Sequence, residues 1–280
     1  MSCRCQYAET GENGEMTTPD AYYTRVDAHR YLPTEHAGGA WQPGEVHFAP
    51  LGGLLLHEID LHRADRRDAG LVLGRASFDI LGFLAVGECE ISVETVRPGR
   101  TIELVEATAT VAGRPVVRAR AWFLADFDTA SVAGGAPTPL PDPAGLATRS
   151  MAEEWTGGFV ASLEVRSVAP PQPGRAAAWL STRLDLVAGE TVSPHVSFLS
   201  LVDTANGIAV RESPAEWAFP NVDLIIHLHR QPTGRWTGLD TTVTFGPTGQ
   251  GVTSTVLHDE HGAVGYAHQM LTIRPLGVRA

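Results

Sequence analysis

Two polar side chains in the C-terminal part of the chain fall where apolar ones are expected. In "LSLVDTANG" (199–207), Asp203 lies four residues after Leu199 and seven after Val196. On a helix those spacings put it on the apolar side, and Asn206 lands there too. In "GAVGYAHQMLTIR" (262–274), strand alternation puts Ala267, Gln269, Leu271 and Ile273 on the core-facing row. Tyr266, His268, Met270, Thr272 and Arg274 face the other way. A lone buried carboxylate costs several kcal/mol unless it is paired or neutralised. A buried amide must find partners. Two readings stand for this pair. Asp203 is a wet boundary residue and Gln269 a structural bond from strand to helix, or the two are held inside for chemistry.

Three further groupings could carry chemistry. "FPNVDLIIHLHRQP" (219–232) reads as a strand with a polar row of Asn221, Asp223, His227 and His229 opposite Val222, Leu224, Ile226 and Leu228. His227 and His229 have metal-ligand spacing and share a row with Asp223, but no third ligand is obvious and an exposed or inter-domain polar face is the better reading. Arg118, Arg120 and Trp122 form a basic face that could meet an anionic ligand or simply face solvent. Cys3 and Cys5 form a C-x-C with no second pair nearby, so no metal site is expected there. There is no G-x-S-x-G elbow, no P-loop and no H-E-x-x-H.

The elements that would position these groups repeat. "ECEISVETVRPGRTIELVEATATVAGRPVVRARAWFL" (88–124) reads as three strands with turns at "RPGR" and "AGR". "GLDTTVTFGPTGQGVTSTVLHDEHGAVGYAHQMLTIR" (238–274) reads the same way, and Pro98/Pro247 and Gly113/Gly262 are both 149 apart. A helix precedes each set. The first is "PLGGLLLHEIDLHRA" (50–64). The second is capped by Ser193, carries Pro194 at its first position, is striped by Val196, Leu199 and Val202, and is expected to end at Gly207. Ser200 and Leu201 point away from that stripe. One helix followed by a long-stranded antiparallel sheet, twice, is an α+β duplication. The first half has nothing but Ala119 and Ala121 at the depth of Gln269.

The chain of 280 residues carries a net charge of −11 and 43% hydrophobic residues, enough for one large domain or two small ones. Its acidic balance argues against a nucleic-acid partner. No apolar run reaches the roughly 18 residues that span a bilayer, and residues 1–20 do not resemble a signal peptide, so a soluble cytoplasmic protein is expected. All 21 basic residues are Arg, as in proteins of GC-rich bacterial genomes. The Pro-, Gly- and Ala-rich stretch 128–150 reads as a linker. The expected domains are a disordered tail over 1–19, an N-terminal domain over 20–127, and a C-terminal domain over 151–276 that carries the site.

Four segments carry a resemblance: "LVDTANG", "NVDLIIHLHRQPTGRWTGLD", "GQGVTSTVLHDEHGAVGYAHQ" and "ETVRPGRTIELVEATATVAGRPVVRARAWF". In that order and spacing, over most of 20–276, the chain resembles the acyl-CoA thioesterase II-like family of double-hotdog thioesterases, in its actinobacterial form. The resemblance implies two tandem antiparallel sheets, each wrapped around one long helix. It implies an acyl-CoA substrate, hydrolysis without metal or other cofactor, and one site per chain. That site maps onto Asp203, Gln269 and Asn221, where Asn221 stands in place of the family's Thr. The implied role of Asp203 is to orient and deprotonate a water that Gln269 and Asn221 hold, along with the Asp itself. The helix start "HFAPLGGLLLHE" departs from the common pattern. A chain with an internal pseudo-dimer can stand alone or pair into a homodimer or higher homo-oligomer. A hotdog that binds acyl-CoA or lipid without catalysis is one alternative. An enoyl-CoA hydratase-like enzyme is another, although "VDTANGIAV" lacks the Pro-x-His of that chemistry.

Overall fold

Residues 19–64 and 70–277 are described in a computed structural model. Cys3, Cys5 and all but the last residue of the expected tail lie outside the described residues. The first half contains β1 (Ala21–Arg25), β2 (Arg30–Pro33), α1 (Phe48–Ala64), β3 (Leu71–Ile80), β4 (Cys89–Arg97), β5 (Ile102–Val111) and β6 (Arg114–Ala125). The second half opens with β7 (Thr148–Arg149), α2 (Gly158–Ala161), β8 (Leu163–Ser167), β9 (Arg175–Thr182) and β10 (Asp185–Val187). Then come α3 (Pro194–Leu199), a 3-10 turn (Val202–Thr204) and α4 (Ala205–Ile208). It closes with β11 (Trp217–Ala218), β12 (Asp223–Leu228), β13 (Thr237–Phe245), β14 (Gln250–Asp259), β15 (Gly262–Thr272) and β16 (Arg274–Pro275).

The expectation of two tandem sheets is corrected. The described strands, apart from the small β11–β16 pair, form one 14-stranded sheet in the order β10-β1-β2-β4-β5-β6-β3-β12-β15-β14-β13-β9-β8-β7. The halves join where β3 pairs antiparallel with β12, Ser77 opposite Ile225. All its pairings are antiparallel except β1 with β10, which run parallel with Ala21 opposite Asp185. That exception curls the sheet. β9 lies near one end, and three residues after Thr182 the chain enters β10 at the other end. Tyr22 Oη reinforces the closure with bonds to Ser162 Oγ and Thr182 Oγ1 at 2.7 and 3.1 Å. The sheet therefore wraps both helical segments.

Enclosure explains the helices. Every residue of α1 from Phe48 to Ile59 is buried, as expected where a helix has sheet around it and a second helix alongside. Gly53 is needed for that neighbour, because a Cβ there would stand 2.6 Å from Ser200 Cβ. The second helix begins as expected: Ser193 Oγ accepts from Val196 N, and Pro194 opens the first turn. It does not run on to Gly207. After Leu199 the chain tightens, Ser200 Oγ bonds back to Ser197 O at 2.8 Å, and Val202–Thr204 wind as a 3-10 turn. Three-residue steps such as Val196, Leu199 and Val202 suit a 3-10 winding as well as an α-helix. Gly207 lies inside α4, where its carbonyl accepts Trp155 Nε1–H at 2.9 Å. Ser200 and Leu201 are buried too, because α1 covers that side.

The stretch 128–150 carries two short 3-10 turns and β7, and is strapped to the second half. Trp179 Nε1 and Arg166 donate to the carbonyls of Pro141 and Pro143, both at 2.8 Å. Among the described residues no helix is long and apolar enough to cross a membrane.

Candidate active site

The 3-10 turn brings Asp203 to the inner face of β15. The carboxylate is buried, at 5% exposure. Its Oδ1 accepts two amide bonds, from Asn221 Nδ2 and Gln269 Nε2, each at 2.8 Å. Each amide spends its remaining N–H on a carbonyl: Gln269 Nε2 on Asp203 O at 3.2 Å, and Asn221 Nδ2 on Asp223 O at 3.0 Å. Carboxylates and carbonyls cannot donate, so the orientation of both amides is fixed. The consequence is an asymmetric carboxylate. Oδ1 is saturated, while Oδ2 makes no hydrogen bond among the described residues. Gln269 Oε1, fully enclosed, has no partner.

The first half contributes His47, which stands just before α1. Its Nδ1 accepts from Ala49 N at 3.1 Å and so caps the helix. That atom is also 3.8 Å from Asp203 Oδ2. The contact is no ion pair. A nitrogen that accepts an N–H carries no proton of its own, and burial pushes the His47 pKa down to about 3. The ring lies 4.2 Å from Phe159, tilted by 31°. Phe159 is set by a close approach of α2 to the loop around Glu35. A Cβ on Gly158 would stand 2.0 Å from Glu35 O, and Gly157 adopts φ +104.

Burial dominates the electrostatics of Asp203. Desolvation lifts its pKa to about 6, against the pull of the Asn221 and Gln269 hydrogen bonds. A carboxylate poised there, with one oxygen free, suits a general base near neutral pH. Asp203 Oδ2 and Gln269 Oε1 are the two acceptors of this cluster left without a hydrogen bond among the described residues. A cavity of about 600 Å³ beside α3, lined by Tyr22, Phe198, Ser200, Leu201, Glu190 and Arg235, reaches Leu201, two residues before Asp203.

The structure brings together Asp203, Gln269 and Asn221. Asn221 arrives by a route that the alternation did not give. Val222 is exposed and Asn221 reaches inward, because regular strand structure starts only at Asp223. Its amide clamps Asp203 through Nδ2. The other groupings do not assemble. Asp223 Oδ1 accepts from Met270 N at 2.6 Å, and His229 Nε2 meets Ala263 O at 3.1 Å. Among the described residues no cluster of three or more His, Cys, Asp or Glu side chains is arranged for a metal ion. Arg118 and Arg120 pair with Glu106 on the outer sheet face. His47 was missed. The available signal was its place before Pro50 at a helix start, where Ser, Thr, Asp or Asn usually caps.

No curated protein matches the sequence. Among solved structures, the fold is similar to a hot dog fold protein of unknown function from Alicyclobacillus acidocaldarius, with TM-score 0.70, 13% identity, and 91% and 97% of the two chains covered. It is also similar to a protein described as a thioesterase from Novosphingobium aromaticivorans DSM 12444, with TM-score 0.67, 18% identity, and coverage of 90% and 98%. A third is the acyl-CoA thioesterase II TesB2 of Mycobacterium marinum, with TM-score 0.59, 15% identity, and coverage of 91% and 96%. At these identities the likeness shows the hotdog fold. Residues 37–124 match the acyl-CoA thioesterase N-terminal domain and residues 138–273 its C-terminal domain. The chain belongs to the acyl-CoA thioesterase family whose two domain models it matches, and is a thioesterase.

Proposed function

We propose that the chain hydrolyses acyl-CoA thioesters to free acid and CoA by a water that Asp203 activates. The observation that carries this reading is the asymmetric carboxylate: Oδ1 held by two amides, Oδ2 free, and a pKa near 6. The water donates to Asp203 Oδ2 and Gln269 Oε1. Its oxygen bonds to the thioester carbon as one proton passes to Oδ2. The tetrahedral intermediate then collapses, the C–S bond breaks, and its electron pair leaves with sulfur. The thiolate is a good leaving group, and the Asp203 proton returns to it or to solvent. Substrate approaches along the cavity beside α3, whose lining includes Arg235, a guanidinium that also pairs with Glu164 at 2.6 Å.

The two units, 20–127 and 151–276, are read as two fused hotdogs sharing one sheet, with a single site in the second. The test is thiol release by purified protein from acyl-CoAs of increasing length, acetyl to palmitoyl, beside Asp203→Asn. Release by wild type and none by the variant supports the mechanism. Equal release by both removes Asp203 from it. No release, with acyl-CoA still raising the melting temperature, leaves a binding protein instead.

A further inference from the structure

Resting on that reading of Asp203, we propose that His47 is a catalytic residue whose Nε2–H meets the thioester carbonyl oxygen and stabilises the oxyanion formed as water adds. Three observations lead there. The tautomer is fixed, because Nδ1 is occupied by Ala49 N–H, which leaves the proton on Nε2. The ring is fixed, because it packs tilted against Phe159 and is tied to the start of α1. Nε2 makes no hydrogen bond among the described residues. Nδ1 stands 3.8 Å from Asp203 Oδ2, so the ring lies beside the carboxylate, where a water on Oδ2 and a carbonyl on the imidazole would be neighbours.

Elimination supports the assignment. An oxyanion needs donors already in place. Both N–H groups of Asn221 and of Gln269 are directed at Asp203 or at backbone carbonyls. The His47 side chain keeps 15% exposure, so a substrate entering from outside can reach it. A neutral imidazole is the right form for this task. It donates without titrating anywhere in the working range, so the carboxylate beside it stays free to act as base. The first half would thus hold the developing charge while the second half activates the water.

The two functions of the ring can be separated by substitution. His47→Asn keeps an acceptor at the place of Nδ1, and so the cap, but removes the distal N–H. His47→Gln places an amide N–H near the position of Nε2 and gives up the cap. With the acyl-CoA that wild type cleaves best, kcat of His47→Asn should fall a hundredfold to a thousandfold, the usual cost of one oxyanion donor. KM should stay within threefold, the melting temperature should hold, and the inflection near pH 6 should not move. His47→Gln should recover at least tenfold of that loss despite a lower melting temperature. The reverse pattern, with Asn near wild type and Gln impaired, would reduce His47 to a helix cap and overturn the proposal. If Asp203→Asn is inactive while His47→Asn is normal, this inference alone fails. If Asp203→Asn is active, the reading beneath it fails as well.

Discussion

The two halves share a plan and differ in what they leave unfinished. At the 149-residue offset that aligns their turns, Asp203 corresponds to Leu54, which is fully buried in α1. The inner rows of β5 and β6 are Val105, Ala107, Ala109, Ala119 and Ala121, while β13, β14 and β15 contribute Thr241, Thr253, Thr255 and Gln269, all buried. The first half is not free of buried polar groups. Glu58 is enclosed, but Tyr31 Oη, Arg25 and His29 all bond to it. Glu103 is enclosed, and Arg63 bonds to it at 2.8 Å. Partners surround those carboxylates, as stability requires. Around Asp203, in contrast, Gln269 Oε1, Thr253 Oγ1 and Thr204 Oγ1 remain unpaired. Tyr23 Oη is also unpaired, but it lies beside the Cys89 thiol rather than a carboxylate. Saturated polar groups hold a fold together. A carboxylate amid unsaturated ones marks where a small molecule must complete the structure.

The sharpest way to test that contrast is Asp203→Asn. Thiol release should drop at least a thousandfold, yet the protein should become more stable at pH 8. Burial raises the folded pKa to about 6 from 3.8, so the ionised form destabilises the fold by about 3 kcal/mol at most above pH 6. That loss shrinks as pH falls from 6 toward 3.8 and is nearly gone at pH 3.5, where the acid is mostly neutral in both states. The gain from Asn should therefore appear in urea melts at pH 8 and all but vanish at pH 3.5. The converse substitution, Leu54→Asp, places a carboxylate where Ala119 and Ala121 can donate nothing. It should destabilise by about 3–5 kcal/mol without adding activity. A variant as stable as wild type would show that the first half can house an ion.

Smaller effects refine the second half. Gln269→Ala should cost about a hundredfold in kcat. It should also move the pH inflection above 6, because the hydrogen bond that it removes lowers the Asp203 pKa. An unmoved inflection would detach Gln269 from the carboxylate. Asn221→Ala should cost about tenfold with a shift in the same direction, while Asn221→Thr, which keeps one donor, should stay within threefold. Thr253→Val removes a hydroxyl that has no partner. Activity should stay within threefold and stability should not fall; a larger loss in steady-state kinetics would bring Thr253 into the site.

How much of this was legible depended on whether a residue broke a pattern. Asp203 and Gln269 stood out because each put a polar group on an apolar row. Asn221 broke no row, because the alternation around Val222 fails before the strand begins, and resemblance alone pointed to it. His47 precedes its helix and belongs to no periodic face. The strands were readable from alternation and turns. Their partners were not, because the β3–β12 junction joins residues about 150 apart and nothing local in either segment names the other. The break in the second helix is a tertiary effect. The packing of Ser200 against Gly53 comes from the other half of the chain.

The parallel pairing of β1 with β10 has a consequence for synthesis. Residues 21–23 can acquire their outer partner only after residues 185–187 have left the ribosome. Until then the nascent N-terminal half carries an unpaired strand edge, and α1 lacks the neighbour that Gly53 makes room for. At translation rates of about 5–20 residues per second, the wait lasts on the order of ten seconds or more. The first half therefore emerges as an incomplete unit that needs its sibling to close. Truncation near residue 130 should yield a sticky, chaperone-dependent fragment rather than a small stable domain.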